Sequence, residues 1–246
     1  MKLIILGSNS KGNCYILRNE KEALIIEAGI RLSEVKKALR FNISVVVGAV
    51  VTHEHNDHAG YLKDIVAAGI TVLALEDVFK AKGIPETASF AKRIIPGRGY
   101  KVGTFKIIPF PVRHDVPCVG YQIEHPEMGK LLFVTDTMML EYTFFGLNHI
   151  LLEANYADSI LNENIDNGTT QPFLRERLMK SHMELETTKE ILQSNDLSGV
   201  RNIVLIHLSG GNSNAKMFTE EVIKVTGKPV YAAVKGLELN LSLNPY

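Results

Sequence analysis

His53-Glu54-His55-Asn56-Asp57-His58 is the stretch on which the reading of this chain turns. It follows the small apolar run at 45–51 and precedes Ala59-Gly60. Three imidazoles and a carboxylate at the end of a buried-strand pattern cannot pack as core, because each polar group there needs its own partner. Metal coordination satisfies all of them, so the segment reads as the nucleus of a two-metal hydrolytic site. In extended backbone His53 and His55 point the same way and suit one ion. Asp57 and His58 follow after the chain has turned, within reach of a second ion beside the first.

Two ions roughly 3.5–4 Å apart need more ligands, and a shared one, from other strand ends. Three polar residues follow strand-like stretches: His114 after Ile107-Ile108-Pro109-Phe110-Pro111-Val112-Arg113, Asp136 after Leu131-Leu132-Phe133-Val134-Thr135 and His207 after Asn202-Ile203-Val204-Leu205-Ile206. Such positions are where an α/β sheet presents its functional ends. Imidazole-rich ligation suits zinc, and the added carboxylates also admit manganese. The two cysteines, Cys14 and Cys118, have neither the spacing of a zinc finger nor the number of a disulfide framework. A reducing, cytoplasmic setting is the expectation.

The remaining sequence fits one α/β domain over 1–246, with interleaved strands and helices and no linker or repeat. At 246 residues, with 46% hydrophobic and 22% charged residues, it has the composition of a globular protein with a substantial core. Lys plus Arg equals Asp plus Glu, at 27 each, so no global charge draws it to nucleic acid or a membrane. Its apolar start, residues 1–7, is too short for a membrane span or signal peptide. Strands are expected at 3–6, 15–18, 23–27, 45–51, 71–75, 105–110, 119–124, 131–135, 149–153, 202–207 and 230–233. Helices are expected at 33–40, capped by Ser33, and at 61–68, 172–180, 184–194 and 215–225.

The motif His-x-His-x-Asp-His at 53–58, followed in order by His114, Asp136 and His207, resembles the metallo-β-lactamase superfamily. Gly7-Ser8-Asn9-Ser10-Lys11-Gly12-Asn13-Cys14-Tyr15, Leu152-Glu153-Ala154-Asn155, Ser181-His182-Met183 and His207-Leu208-Ser209 bring it closer to the WalJ/YycJ-type branch. The resemblance implies a four-layered αββα sandwich and hydrolysis by a hydroxide held between two metals. It places His53, His55 and His114 on the first metal, Asp57, His58 and His207 on the second, and Asp136 between them. The branch is described as a DNA exonuclease acting from 5′ ends. One position departs: Glu27 stands in Ile25-Ile26-Glu27-Ala28-Gly29 where the family usually has an Asp that orients a ligand. Glu is one methylene longer, which puts that contact in question.

Outside the ligands, Ser181-His182-Met183-Glu184 fits a capping box, which would put His182 in the first turn of a helix. There it would protonate a leaving oxygen or clamp a phosphate. Ser8, Asn9 and Asn13 lie in a turn that can aim N–H groups at an anion or simply join two strands. Arg175, Arg177, Lys180 and Lys189 could meet a DNA backbone or form a solvated helix face. His125 and His149 read as structural. The functions to be separated are a phosphodiesterase or nuclease, a hydrolase of a small cyclic phosphodiester, thioester or lactone, and a metal-bound regulatory protein with weakened catalysis.

Overall fold

A computed structural model describes residues 1–244. In the N-terminal part, short apolar runs broken by Gly, Asn and Ser pair as strands. β1 (Lys2–Gly7), β2 (Cys14–Arg18) and β3 (Ala23–Ile26) form an antiparallel meander. Helix α1 (Leu32–Ala38) then crosses to β4 (Val46–Val50), parallel to β3. After the short α2 (Asn56–Ala59) come α3 (Leu62–Ala67), β5 (Val72–Ala74), α4 (Glu76–Ala81) and β6 (Ala91–Arg93).

β7 (Tyr100–Val102), β8 (Phe105–Val112), β9 (Cys118–His125), β10 (Gly129–Val134) and β11 (Leu147–Glu153) begin the second sheet. Helices α5 (Asp158–Asp166), α6 (Phe173–Ser181) and α7 (Leu185–Gln193) precede β12 (Asn202–Ile206). The chain finishes through α8 (Ala215–Thr226), β13 (Val230–Ala232) and β14 (Glu238–Asn240), the last of which returns to β1.

The sheet orders are β14-β1-β2-β3-β4-β5-β6 and β13-β12-β11-β10-β9-β8-β7. Their inner faces share one core: the Tyr15 and Phe133 rings meet edge-on at 5.3 Å, and the Tyr121 hydroxyl donates to the Val51 carbonyl at 2.7 Å. Burying each such side chain contributes roughly 1.5–3 kcal/mol. α1 and α3 lie against the first sheet and α8 against the second, completing the expected αββα layers. No helix among the described residues is long and apolar enough to cross a membrane.

The long, strongly patterned elements fall within a few residues of their expected positions. Ser33 does not cap α1, which begins at Leu32 with Arg31 before it and no side-chain cap. The three-residue strands β6 and β7 and the helices α4 and α5 carry too little periodicity to be read. α5, for example, buries only Leu161.

His125 and His149 both find partners. His125 Nε2 lies 3.0 Å from Glu22 Oε1. His149 lies between the Leu241 carbonyl, 2.9 Å from Nε2, and the Asn202 amide, 3.2 Å from Nδ1. Burial pushes His149 down to about 4. An imidazole in the unfolded chain titrates near 6.5, so between about 4 and 6.5 the unfolded state binds the extra proton. The stability His149 provides is therefore complete above that window and lost as pH falls through it. His149→Gln should lose about 2 kcal/mol less than the wild type between pH 7 and pH 5, measured by urea unfolding.

Candidate metal centre

The expected ligands meet at one edge of the paired sheets because the strands that carry them are aligned. β3, β4 and β5 are mutually parallel, as are β10, β11 and β12. Their C-terminal ends therefore deliver Glu27, His53, Asp136, Glu153 and His207 to the same end of the sandwich. Three of these, Glu27 (φ 68°), Asp136 (φ 51°) and His207 (φ 53°), have left-handed backbone, which turns the chain sharply as each strand ends. Non-glycine residues are rarely held this way, and such strain gathers where side-chain direction matters more than local comfort. Gly29 serves the same packing: a Cβ there would lie 1.7 Å from the Asp57 carbonyl oxygen. Only glycine lets the segment after β3 pass beneath the histidine loop.

Ligand atoms of His53, His55 and His114 lie within 4.8 Å of one another, as do those of Asp57, His58 and His207. Asp136 joins a third such group with His53 and His58, and a fourth with Glu153, His182 and His207. These overlapping sets give Asp136 a place between the two halves. The donors fit divalent ions in chemistry as well as spacing. His53 Nδ1 is 2.9 Å from Thr52 Oγ1, while its buried Nε2 has no partner. One ring nitrogen fixed and the other left open is how imidazole is oriented toward a metal.

Burial and facing charges pull the groups of this cluster in opposite directions. Burial opposes charge throughout, yet His207 and His58 hold the Asp136 carboxyl well below its ordinary range. Against the same burial, Asp136 and Glu27 raise His58, and Asp136 and Asp57 raise His207 to about 10. His53 and His114 are pushed down by burial. Entering metal would displace the protons on His58 and His207.

Residues behind these donors fix their directions. Glu27, fully buried, places Oε1 3.5 Å from His58 Nδ1 and accepts the Thr52 N–H at 3.4 Å. Glu27 therefore faces the cluster and not solvent, its Oε1 lying beside His58 Nδ1 with neither atom hydrogen-bonded. Glu27→Gln should weaken metal binding roughly 10–100-fold, read by competition with a chelator, with secondary structure retained. The Ser8 hydroxyl accepts the His207 N–H at 2.9 Å and pairs with the Tyr15 hydroxyl at 2.7 Å. The Asn13 amide lies 3.0 Å from His58 Nε2 and 3.3 Å from Asp57 Oδ2. Ser8 and Asn13 are thus buried supports of ligands, whereas Asn9 is exposed and folds its own turn by accepting the Lys11 N–H.

His182 reaches the cluster by a different route from the capping box. Ser181 ends α6, its hydroxyl donating back to the Arg177 carbonyl, and Glu184 itself caps α7 by accepting the Glu186 N–H. His182 lies in the extended link between the helices (φ −135°, ψ 158°). The capping pattern fails because the preceding helix continues through Ser181, leaving that residue no free first turn to cap.

Glu153 and Asp115 were not anticipated. Glu153, fully buried, holds Oε1 2.7 Å from His182 Nδ1 and 3.3 Å from His207 Nδ1. Together with Asp136 it outweighs burial and raises His182. Its signal was available: a carboxylate closing the apolar run 150–152, just as Asp136 closes 131–135. Asp115, with Oδ1 3.0 Å from His114 Nε2 and 3.5 Å from His55 Nε2, offered no strand-end signal. Arg175 faces Asp158 at 3.7 Å and Arg177 is exposed, and neither pairs with the cluster.

A family model described as the metallo-beta-lactamase superfamily matches residues 8–139, more than half of the chain and all of the 53–58 motif. The chain belongs to the metallo-β-lactamase superfamily. Within that superfamily it is 24% identical over 241 residues to Exodeoxyribonuclease YycJ of Bacillus anthracis, covering 91% of this chain and 89% of the relative. It is 25% identical over 230 residues to Exodeoxyribonuclease WalJ of Streptococcus pneumoniae, covering 86% and 83%. Among solved structures, the metallo-beta-lactamase fold protein YhfI of Bacillus subtilis superposes with a TM-score of 0.72 at 14% identity, over 97% of this chain and 99% of that one.

Proposed function

We propose that this chain is a phosphodiesterase that removes nucleotides from DNA, with two divalent ions, zinc or manganese, held by His53, His55 and His114 and by Asp57, His58 and His207, and with Asp136 shared. The observation that carries this reading is the Glu153–His182 pair. Its carboxylate end is buried, its imidazole is partly exposed at 18%, and the pair stands beside Asp136, 3.5 Å from His182 Nδ1. Hydrolysis of a phosphodiester needs a nucleophile on one side of phosphorus and a proton for the departing oxygen on the other. Bound metals would supply the first requirement, by lowering the pKa of a bound water to about 7 and by neutralising the phosphoryl oxygens.

His182 supplies the second. Glu153 accepts from Nδ1 and favours the protonated ring, leaving Nε2 without a hydrogen-bond partner among the described residues. That nitrogen gives its proton to the leaving oxygen as the P–O bond breaks, and recovers one from water afterwards. The exodeoxyribonuclease names of the two relatives support DNA as the polymer, and their coverage of nearly the whole chain supports carrying the comparison across the entire site.

A small phosphodiester is the second reading, favoured by the way the basic residues near His182 are spent. Lys180 pairs with Glu176, Lys189 with Glu186 and Glu221, and Arg175 with Asp158. The deciding experiment incubates the metal-loaded protein with 5′-phosphorylated DNA, bis-p-nitrophenyl phosphate, a cyclic dinucleotide and a thioester. Mononucleotide release from DNA is expected. Turnover confined to the small substrates would move the assignment to them, and full metal occupancy without any turnover would mark a regulatory protein.

A further inference from the structure

The connection from β10 to β11 departs from what surrounds it. A crossover between parallel strands normally buries its apolar side chains beneath a helix. Here residues 135–146 contain no helix, and Met138, Met139 and Tyr142 remain 37%, 37% and 40% exposed. The segment is anchored nonetheless. The Tyr142 ring meets Phe110 edge-on at 5.8 Å, Phe110 packs on Phe144 at 4.9 Å, and the Phe144 N–H donates to Asn195 Oδ1 at 2.7 Å.

Between this segment and the end of β8 runs a cleft of about 90 Å³, with Pro111, Val112 and Arg113 on one wall and Met139, Leu140 and Tyr142 on the other. Both walls adjoin the candidate centre along the chain: Arg113 precedes His114, and Met139 lies three residues beyond Asp136. β8 and β10 both pair antiparallel to β9, so these two ends lie at the same edge of the sheet.

Resting on the nuclease reading above, we propose that this cleft is a base-stacking subsite, which receives one unpaired nucleobase of a single-stranded DNA end while the adjoining phosphodiester enters the metal centre. The cleft is lined by the Met139 thioether and the Tyr142 phenol ring, groups on which a planar heterocycle packs, and stacking on such groups tolerates every base. The aromatic wall is already fixed by its packing, so little ordering remains to oppose binding. Arg113, 62% exposed, pairs with Glu141 of the opposite wall, a contact that a flanking phosphate would exchange for its own. A base held in a duplex would first have to give up its pairing and stacking to enter the cleft. The subsite therefore selects single-stranded or frayed ends.

The test is fluorescence anisotropy on the metal-loaded protein with two phosphorothioate tetranucleotides, one of thymidine and one of abasic tetrahydrofuran units. The two carry the same backbone charge and differ only in having bases. The wild type is expected to bind the thymidine probe about tenfold more tightly, in line with stacking of one base. Tyr142→Ala and Met139→Ala should each bring that ratio close to one, and Tyr142→Phe should preserve it. Equal affinity of the wild type for both probes would overturn the subsite, as would an undiminished ratio in both alanine variants. Loss of self-association in Tyr142→Ala with the ratio intact would instead make the face an interface between copies, and would also overturn it. Failure of the nuclease reading shows separately, as absence of DNA cleavage by the wild type.

Discussion

Asp136→Asn is expected to reduce hydrolysis by about 10³-fold or more and to lower the amount of metal retained after dialysis. The carboxylate is buried and stands among donors from both halves of the cluster. Oδ2 lies 3.0 Å from His58 Nε2 and accepts the Thr135 hydroxyl at 2.6 Å, while Oδ1 lies 3.9 Å from His207 Nε2. Asparagine keeps the shape but removes the charge that would hold two cations side by side. Losing several kcal/mol of charge stabilisation at the reacting phosphate corresponds to that rate factor, because each 1.36 kcal/mol is tenfold. In the metal-free protein, His58 and His207 also lose the partner that sustains their charge, and breaking a buried pair from one side costs about 3–5 kcal/mol. The checks are kcat/KM on DNA, elemental analysis and thermal unfolding with and without metal. Wild-type turnover with full metal content would remove Asp136 from its shared position.

His182→Ala should lower kcat by about 10²–10⁴-fold and leave bound metal unchanged, since His182 stands outside both proposed ligand triads. The pattern across substrates carries the mechanism. A p-nitrophenolate leaving group departs without a proton, so bis-p-nitrophenyl phosphate should lose far less rate than DNA, whose leaving oxygen must be protonated. A uniform loss on both would indicate that His182 binds phosphate rather than delivering a proton. Loss of metal together with rate would place it among the ligands.

The site was legible where function follows from ending a strand. His114, Asp136 and His207 each close an apolar run, and a polar group so placed is brought to the edge where the sheets open. The same rule applied to residues 150–153 points to Glu153, part of the Leu152–Asn155 motif, but not to its partner, since His182 arrives from 29 residues away. The Ser181–Glu184 pattern misled because a capping signature is local, whereas α6 runs through Ser181 to bring that residue's carbonyl 3.1 Å from His114 Nδ1. Tertiary need overrode propensity there, as it did at Glu27, whose left-handed backbone no propensity scale favours. The layers followed from patterning in the long strands, while β6 and β7 depend on neighbours already in place.

The bond from Ser8 to the His207 N–H joins positions 199 residues apart in the chain. It therefore sets an order in time. During synthesis the first sheet can form its meander and gather His53 to His58 long before β12 exists, leaving the Ser8 hydroxyl facing an empty edge. The partial cluster holds acid and imidazole without His207, whose ring completes the group formed with Asp57 and His58. Completion waits for β12 to pair beside β11, so a nascent chain gains His207 only after most of the described fold has emerged. The candidate centre is therefore among the last features of the fold to be completed.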